Sequence, residues 1–102
     1  MRLPLEALET LDAIVAEGSF AAAAARLHKV PSAISYTVRQ LEESLAVELF
    51  DRSGHRAVLT NAGQVVLAEG RQVLARARRV EALAGQFRAG WEPNLSVIID
   101  GI

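Results

Sequence analysis

The sequence contains no cysteine, so disulfide bonds, zinc ribbons and thiol nucleophiles are all excluded. Residues 1–20 lack the pattern of a secretory signal, and no apolar run approaches the ~18 residues that span a bilayer, so we expect a cytoplasmic protein without membrane contact. Aromatic residues are only 5% of the 102 residues, whereas hydrophobic residues, mainly alanine and aliphatics, reach 51%. This composition predicts a mainly α-helical fold.

Neither sign of charge dominates, because 11 basic residues face 12 acidic ones and the net charge is −1. A nucleic-acid partner must therefore be inferred from where the charges lie. Between residues 26 and 56 the basic residues are Arg26, Lys29, Arg39, Arg52 and Arg56, and the acidic residues are Glu42, Glu43, Glu48 and Asp51. All four acidic residues of this segment follow Arg39 in the sequence, whereas three of the five basic residues do not. This distribution predicts a basic face on a chain whose net charge is negative.

Three helices are predicted in the first half of the chain. Apolar residues at spacings of three and four indicate an amphipathic helix over 5–17, ended by Gly18, and Ser19 is placed to cap a second, alanine-rich helix over 20–27. After a short turn, Pro31 suits the first position of a third helix that runs to about residue 45. Its exposed face is predicted to carry Ser32, Ser35, Tyr36, Arg39 and Glu43.

Two short strand-like pieces follow, over 49–52 and 57–59, and they flank a turn with Gly54 near its tip. This pattern predicts a small two-stranded wing. Thr60 is placed to cap a fourth helix of almost thirty residues that ends near residue 89. Glu42 and Glu43 are interpreted as solvated helix charges.

The fourth helix is too long for so small a domain and carries an apolar seam with a seven-residue interval. Such a seam predicts a second copy of the chain as its partner. The expected interface residues are Val66, Gly70, Val73, Ala77, Val80, Ala84 and Phe87. Residues 91–94 should break the helix, and residues 95–99 read as a strand that lacks a sheet, so a fragment of a longer protein is expected.

Two helices joined by a tight turn, the second with a polar outer face, are typical of a helix that enters the major groove of DNA. Two other interpretations stay open. The third helix could be an ordinary solvated surface helix. Alternatively, the chain could be a dimerising helical module that binds protein.

A family resemblance supports the DNA interpretation. The residues that carry it are Gly18-Ser19-Phe20, Ala23-Ala24, Leu27, Ser32-Ala33-Ile34-Ser35, Val38, Leu41-Glu42, Leu45, Leu49-Phe50, Arg52, Leu59-Thr60 and Ala62-Gly63. From residue 3 to about 90 the chain resembles the amino-terminal domain of LysR-type transcriptional regulators. A MarR-like winged-helix repressor is the alternative within the same class, although the short first helix disfavours it.

The resemblance implies a winged helix-turn-helix over residues 1–59, a linker and dimerisation helix over 60–90, and the hinge and first strand of a truncated effector domain over 91–102. It implies sequence-specific binding of double-stranded DNA by a homodimer, with helix 31–45 in successive major grooves of an interrupted inverted repeat. The effector domain would sense a small molecule, and the intact protein would form a tetramer.

Carried over by position, the resemblance makes residues 20–39 the helix-turn-helix. The expected DNA-binding residues are Lys29, Pro31, Ser32, Ser35, Tyr36 and Arg39. At the wing, Arg52 would hold a phosphate, and His55 and Arg56 are placed to reach the backbone or the minor groove. Val30-Pro31 and Tyr36 depart from the family pattern, in which a polar pair and a basic residue are common, so a different base preference is expected.

Chemistry of other kinds has little support in the sequence. His28 and His55 are far apart and have no cysteine nearby, so no metal site is expected. No phosphate-binding glycine loop and no nucleophile elbow is present. We therefore expect neither a cofactor nor enzymatic activity.

Overall fold

The structure, a computed structural model, describes residues 3–54 and 56–90. This part of the chain forms four helices and two strands in the order α1, α2, α3, β1, β2 and α4. The hinge and strand expected over residues 91–102 lie outside the described residues. The fold is mainly helical, with a two-stranded wing and a long final helix, as the sequence predicted.

Helix α1 spans Leu5–Glu17 and buries Leu8, Leu11 and Ile14. It ends as predicted at Gly18, whose φ of 90° lies in the left-handed region that glycine tolerates best. The Gly18 N–H donates to the carbonyl of Ile14 at 2.8 Å. The next helix begins at once, because the Ser19 hydroxyl accepts a hydrogen bond from the Ala22 N–H at 3.0 Å.

Helices α2 and α3 form the helix-turn-helix. Helix α2 spans Phe20–Arg26 and α3 spans Pro31–Leu45. Ala23 and Ala24 are buried, and their small side chains allow close packing of the helices. Helix α3 contributes Ile34, Val38 and Leu41 to the core, which leaves its polar residues on the outer side.

The wing pairs β1 (Phe50–Asp51) with β2 (Val58–Leu59) in antiparallel register. Both strands are shorter than predicted. The N–H of Leu49 donates to the Glu42 side chain instead of to a strand, and the Asp51 carboxylate accepts from the Ser53 N–H, which turns the chain after β1. Phe50 anchors the wing to the core through an edge-to-face contact with Phe20, with ring centroids 5.2 Å apart.

Helix α4 spans Asn61–Arg88, and the Thr60 hydroxyl caps it by accepting from the Gly63 N–H at 2.9 Å. Its first half packs against the domain through Gly63, Leu67, Gly70 and Leu74, all of which are buried. Arg71 fixes the crossing with α1 by donating to the Asp12 carboxylate at 2.7 Å. The second half extends away from the domain, which gives the molecule a long dimension of 55 Å against 26 and 22 Å.

Candidate nucleic-acid interface

The outer face of α3 gathers four of the predicted DNA-binding residues. Ser32, Tyr36 and Arg39 are exposed, and Ser35 is half-buried. The Tyr36 side chain is notably open to solvent, at 60% exposure. Within residues 3–54 and 56–90, no ion pair engages Arg39. The face thus offers a guanidinium, a phenol and two hydroxyls for hydrogen bonding to a partner.

The turn before α3 carries the predicted residues Lys29 and Pro31, both exposed. Lys29 is not a free cation, because its ammonium forms an ion pair with the carboxylate of Glu6 at the start of α1. The hydrogen bond and charge of Lys29 lower the pKa of Glu6 below its ordinary value, so Glu6 is ionised at neutral pH. This contact could not be predicted from local spacing, because the partners lie 23 positions apart in the sequence.

Arg52, the predicted phosphate ligand of the wing, contacts α3 of its own chain. Its Nη2 donates to Oε1 of Glu42 at 2.7 Å, while the other carboxylate oxygen of Glu42 accepts from the Leu49 N–H at 2.7 Å. The Glu42 side chain is only 13% exposed. The interpretation of Glu42 as a solvated charge is therefore wrong: its carboxylate links α3 to the wing. About half of the Arg52 side chain remains exposed.

A groove of about 430 Å³ separates the start of α2 from the wing. Arg52 and Arg56 both line it, together with Gly54. Asp51 lies in the same groove, and its hydrogen bonds from the Ser53 hydroxyl and N–H lower its pKa. The predicted wing residue His55 lies outside the described residues.

Internal ion pairs reduce the number of cations available to a partner. Of the basic residues between 26 and 56, Arg26 is paired with Glu17 at 3.4 Å, Lys29 with Glu6, and Arg52 with Glu42. Arg39 on α3 and Arg56 on the wing have no ion pair in the described part of the chain. The basic face predicted from the sequence is therefore concentrated on these two residues.

The structure divides the predicted seam of α4 into two parts. Val66 packs partly against the domain core, and Gly70 is buried so closely that a Cβ there would lie 3.0 Å from Cδ2 of Leu8. These two residues contact their own chain. Ala77 is half-buried, whereas Val73, Val80, Ala84 and Phe87 are exposed.

Beyond Leu74 the long helix has no apolar cover in the described residues. This part still carries Val80, Leu83 and Phe87, which are 65%, 42% and 61% exposed. Leu83 could not be predicted from the seam, because it does not follow the seven-residue interval. Large apolar side chains on a helix that leaves its domain are typical of an unoccupied association surface.

The described residues contain no cluster of three or more side chains that could hold a metal ion. In the same part of the chain, no helix is long and apolar enough to cross a bilayer. The exposed chemistry is that of α3 and the wing, which together define a winged helix-turn-helix of the kind that binds duplex DNA.

Comparison with known proteins identifies the family. Residues 5–64 match the family model described as bacterial regulatory helix-turn-helix protein, lysR family. The chain belongs to this family. The match selects the LysR-type interpretation over the MarR-like alternative.

Curated relatives agree with this assignment. Over 100 residues the chain is 49% identical to the uncharacterized HTH-type transcriptional regulator YeeY and to the probable HTH-type transcriptional regulator YhaJ, both of Escherichia coli (strain K12). The alignments cover 98% of this chain but only 32% and 34% of the relatives, so the chain spans about a third of their length. These names describe transcriptional regulators, which confirms the expectation that the chain is not an enzyme.

A solved structure supports the same fold. The chain matches the crystal structure of the CbnR_DBD–DNA complex with a TM-score of 0.75 and 33% identity, over 86% of this chain and 98% of that one. The matched protein is bound to DNA, and the match covers almost all of it.

Proposed function

We propose that this chain is the DNA-binding part of a dimeric transcriptional regulator, and that α3 is the recognition helix, inserted into the major groove. The observation that carries the proposal is the outer face of α3, where Arg39 has no ion pair within residues 3–54 and 56–90 and lies beside Tyr36, Ser32 and Ser35. In this class of motif the second helix contacts base edges in the groove.

The side chains of α3 differ in what they can recognise. The Arg39 guanidinium donates either a bidentate pair of hydrogen bonds to guanine or hydrogen bonds to a phosphate. Tyr36 offers a hydroxyl and an apolar ring that suits a thymine methyl, and Ser32 and Ser35 bond phosphates or base edges. Lys29 and Pro31 stand at the start of the helix, where Lys29 reaches a phosphate by exchanging Glu6 for it.

In this proposal the wing contacts the DNA backbone. Arg56 supplies a charge with no ion pair in the described residues, and Arg52 contributes the guanidinium N–H donors that do not bind Glu42. His55 completes the proposed set. These residues contact phosphates or the minor groove without reading the sequence directly.

Dimerisation occurs, in this proposal, through the projecting part of α4. The exposed positions Val73, Val80, Ala84 and Phe87, with half-buried Ala77, form the contact, and Leu83 adds to it. Val66 and Gly70 pack against their own chain and so anchor α4 to the domain from which the contact projects. A two-fold pair presents two copies of α3 and predicts an interrupted inverted repeat as target.

The remaining organisation is proposed from the family. Residues 1–59 form the DNA-binding domain, 60–90 the dimerisation helix, and 91–102 the hinge and first strand of an effector domain. That domain senses a small molecule, the intact regulator is a tetramer, and the protein acts in the bacterial cytoplasm. The length of the relatives, about three times that of this chain, supports a further domain.

The proposal is tested by fluorescence anisotropy with this chain and two labelled duplexes. One duplex is selected by the chain from a random-sequence pool, and the other is a scrambled version of it. Tight binding to the selected duplex that weakens steeply with salt supports the proposal, because each neutralised phosphate releases counterions. A folded dimer that binds neither duplex at low salt contradicts it and favours the protein-binding module.

A further inference from the structure

Helix α3, like α1, begins without a side-chain cap. Its N-cap residue is Val30, which makes no side-chain hydrogen bond to the helix, whereas Ser19 and Thr60 cap α2 and α4 with their hydroxyls. Serine and threonine stabilise this position and valine does not. The recognition helix therefore lacks a stabilising cap that two neighbouring helices possess.

Burial does not explain the valine. The Val30 side chain is 61% exposed, so it adds little to the core. Its backbone still starts the helix, since the Val30 carbonyl accepts from the Ala33 N–H at 3.0 Å. Pro31 follows and is also exposed, which places two adjacent apolar residues in solvent at the end of α3 that carries Ser32.

Neither residue can recognise DNA through polar side-chain contacts. Val30 has no polar side-chain atom, and Pro31 lacks even a backbone N–H. The first residues of a recognition helix are nevertheless those that approach base edges in the major groove. The one apolar group that the four standard bases present there is the C5-methyl of thymine.

We propose that Val30 is a specificity-determining residue that selects a thymine in each half-site through contact with its C5-methyl group. This inference rests on the proposed function, because it needs α3 in the major groove. The inference assigns a base preference to Val30, which otherwise only begins α3. At this position α3 has an apolar contact with thymine in place of the hydroxyl cap that it lacks.

The test removes the thymine methyl from one side of the contact and the two methyl groups of Val30 from the other. In the duplex selected from a random pool, each dT is replaced in turn by dU, which differs only by the missing methyl. For the wild-type chain we expect dU to weaken binding by about threefold to tenfold at a position in each half-site that is distinct from any thymine contacted by Tyr36. For Val30→Ser the same replacement should have no effect.

The variant separates recognition from folding. Serine restores the N-cap, so Val30→Ser should have a Tm equal to or above that of the wild type while it loses thymine selectivity. Val65→Ser is the matched control, because Val65 is 64% exposed but lies on α4. It should keep the dU sensitivity of the wild type.

The outcomes are distinct. Identical dU profiles for the wild type and Val30→Ser, with both bound to the duplex, overturn this inference and leave the proposed function standing. Loss of dU sensitivity in Val65→Ser as well overturns it too, since the effect is then not specific to α3. A wild-type chain that selects no duplex overturns the proposed function, and the inference with it.

Discussion

Glu42 and Arg52 join α3 to the wing through a hydrogen-bonded ion pair of 2.7 Å. The same carboxylate accepts the Leu49 N–H, so one side chain fixes both the entry to β1 and the residue just after it. Because Glu42 is largely buried, it needs these partners to offset the cost of its charge. The position of Arg52 relative to α3 is therefore set within the protein before DNA binds.

This arrangement predicts that Glu42→Gln lowers the free energy of unfolding by about 1–2 kcal/mol, because the charge-assisted bonds become neutral ones. Urea denaturation followed by circular dichroism measures the change. Glu43→Gln is the matched control, since Glu43 is the exposed neighbour, and it should shift stability by less than about 0.5 kcal/mol. Equal stability of the two variants would show that the link contributes nothing.

In the proposed function, Glu6 competes with DNA for Lys29. Glu6→Gln should therefore raise the affinity for both the selected and the scrambled duplex, and should steepen the dependence of log K on log salt by about one unit per chain. Anisotropy titrations over a range of salt concentrations measure both effects. Glu9→Gln removes the same charge from α1 without an ion pair to Lys29. If both variants gain affinity with the same salt slope, only the net charge matters and the competition is refuted.

The projecting part of α4 should fail to associate when its apolar stripe is charged. Val80→Glu is expected to raise the dimer dissociation constant by at least about a hundredfold, because a carboxylate in an apolar interface would be desolvated without a partner. Sedimentation equilibrium measures this constant. Gln86→Glu adds the same charge to an exposed residue outside the seam and should leave the dimer intact. A dimer that survives Val80→Glu places the interface elsewhere.

Gly63 is required where α4 starts against the wing. A Cβ at this position would lie 2.1 Å from the carbonyl oxygen of Leu49, which is backbone and cannot rotate away. Gly63→Ala should destabilise the fold by about 3 kcal/mol or more through overpacking. Thermal unfolding compares it with Gly54→Ala, where a Cβ meets nothing within 4 Å. A Tm unchanged from that of the control would contradict the close approach.

The sequence predicted the helices well because their limits are local. Gly18 closes α1, Ser19 and Thr60 cap the helices that follow them, and Pro31 opens α3, each through contacts within a few residues. The helix bounds in the structure fall within one residue of those expected.

Which charges and apolar residues of the candidate site are available to a partner could not be predicted in the same way. Whether Lys29 and Arg52 carry available charge depends on Glu6 and Glu42, which the fold brings to them from other elements. Gly70 belongs to the seam by its spacing but is covered by Leu8, because α1 crosses α4 there. Local spacing holds no information on such contacts.

DNA binding by the outer face of α3 should depend above all on Arg39, the exposed guanidinium of that face. Anisotropy should compare the wild type, Arg39→Ala and Arg79→Ala, which removes an exposed arginine from α4, on the selected duplex at one salt concentration. We predict that Arg39→Ala costs about 1–3 kcal/mol of binding free energy, whereas Arg79→Ala binds almost as the wild type does. Equal affinities for the two variants would contradict the assignment of α3 as the recognition helix.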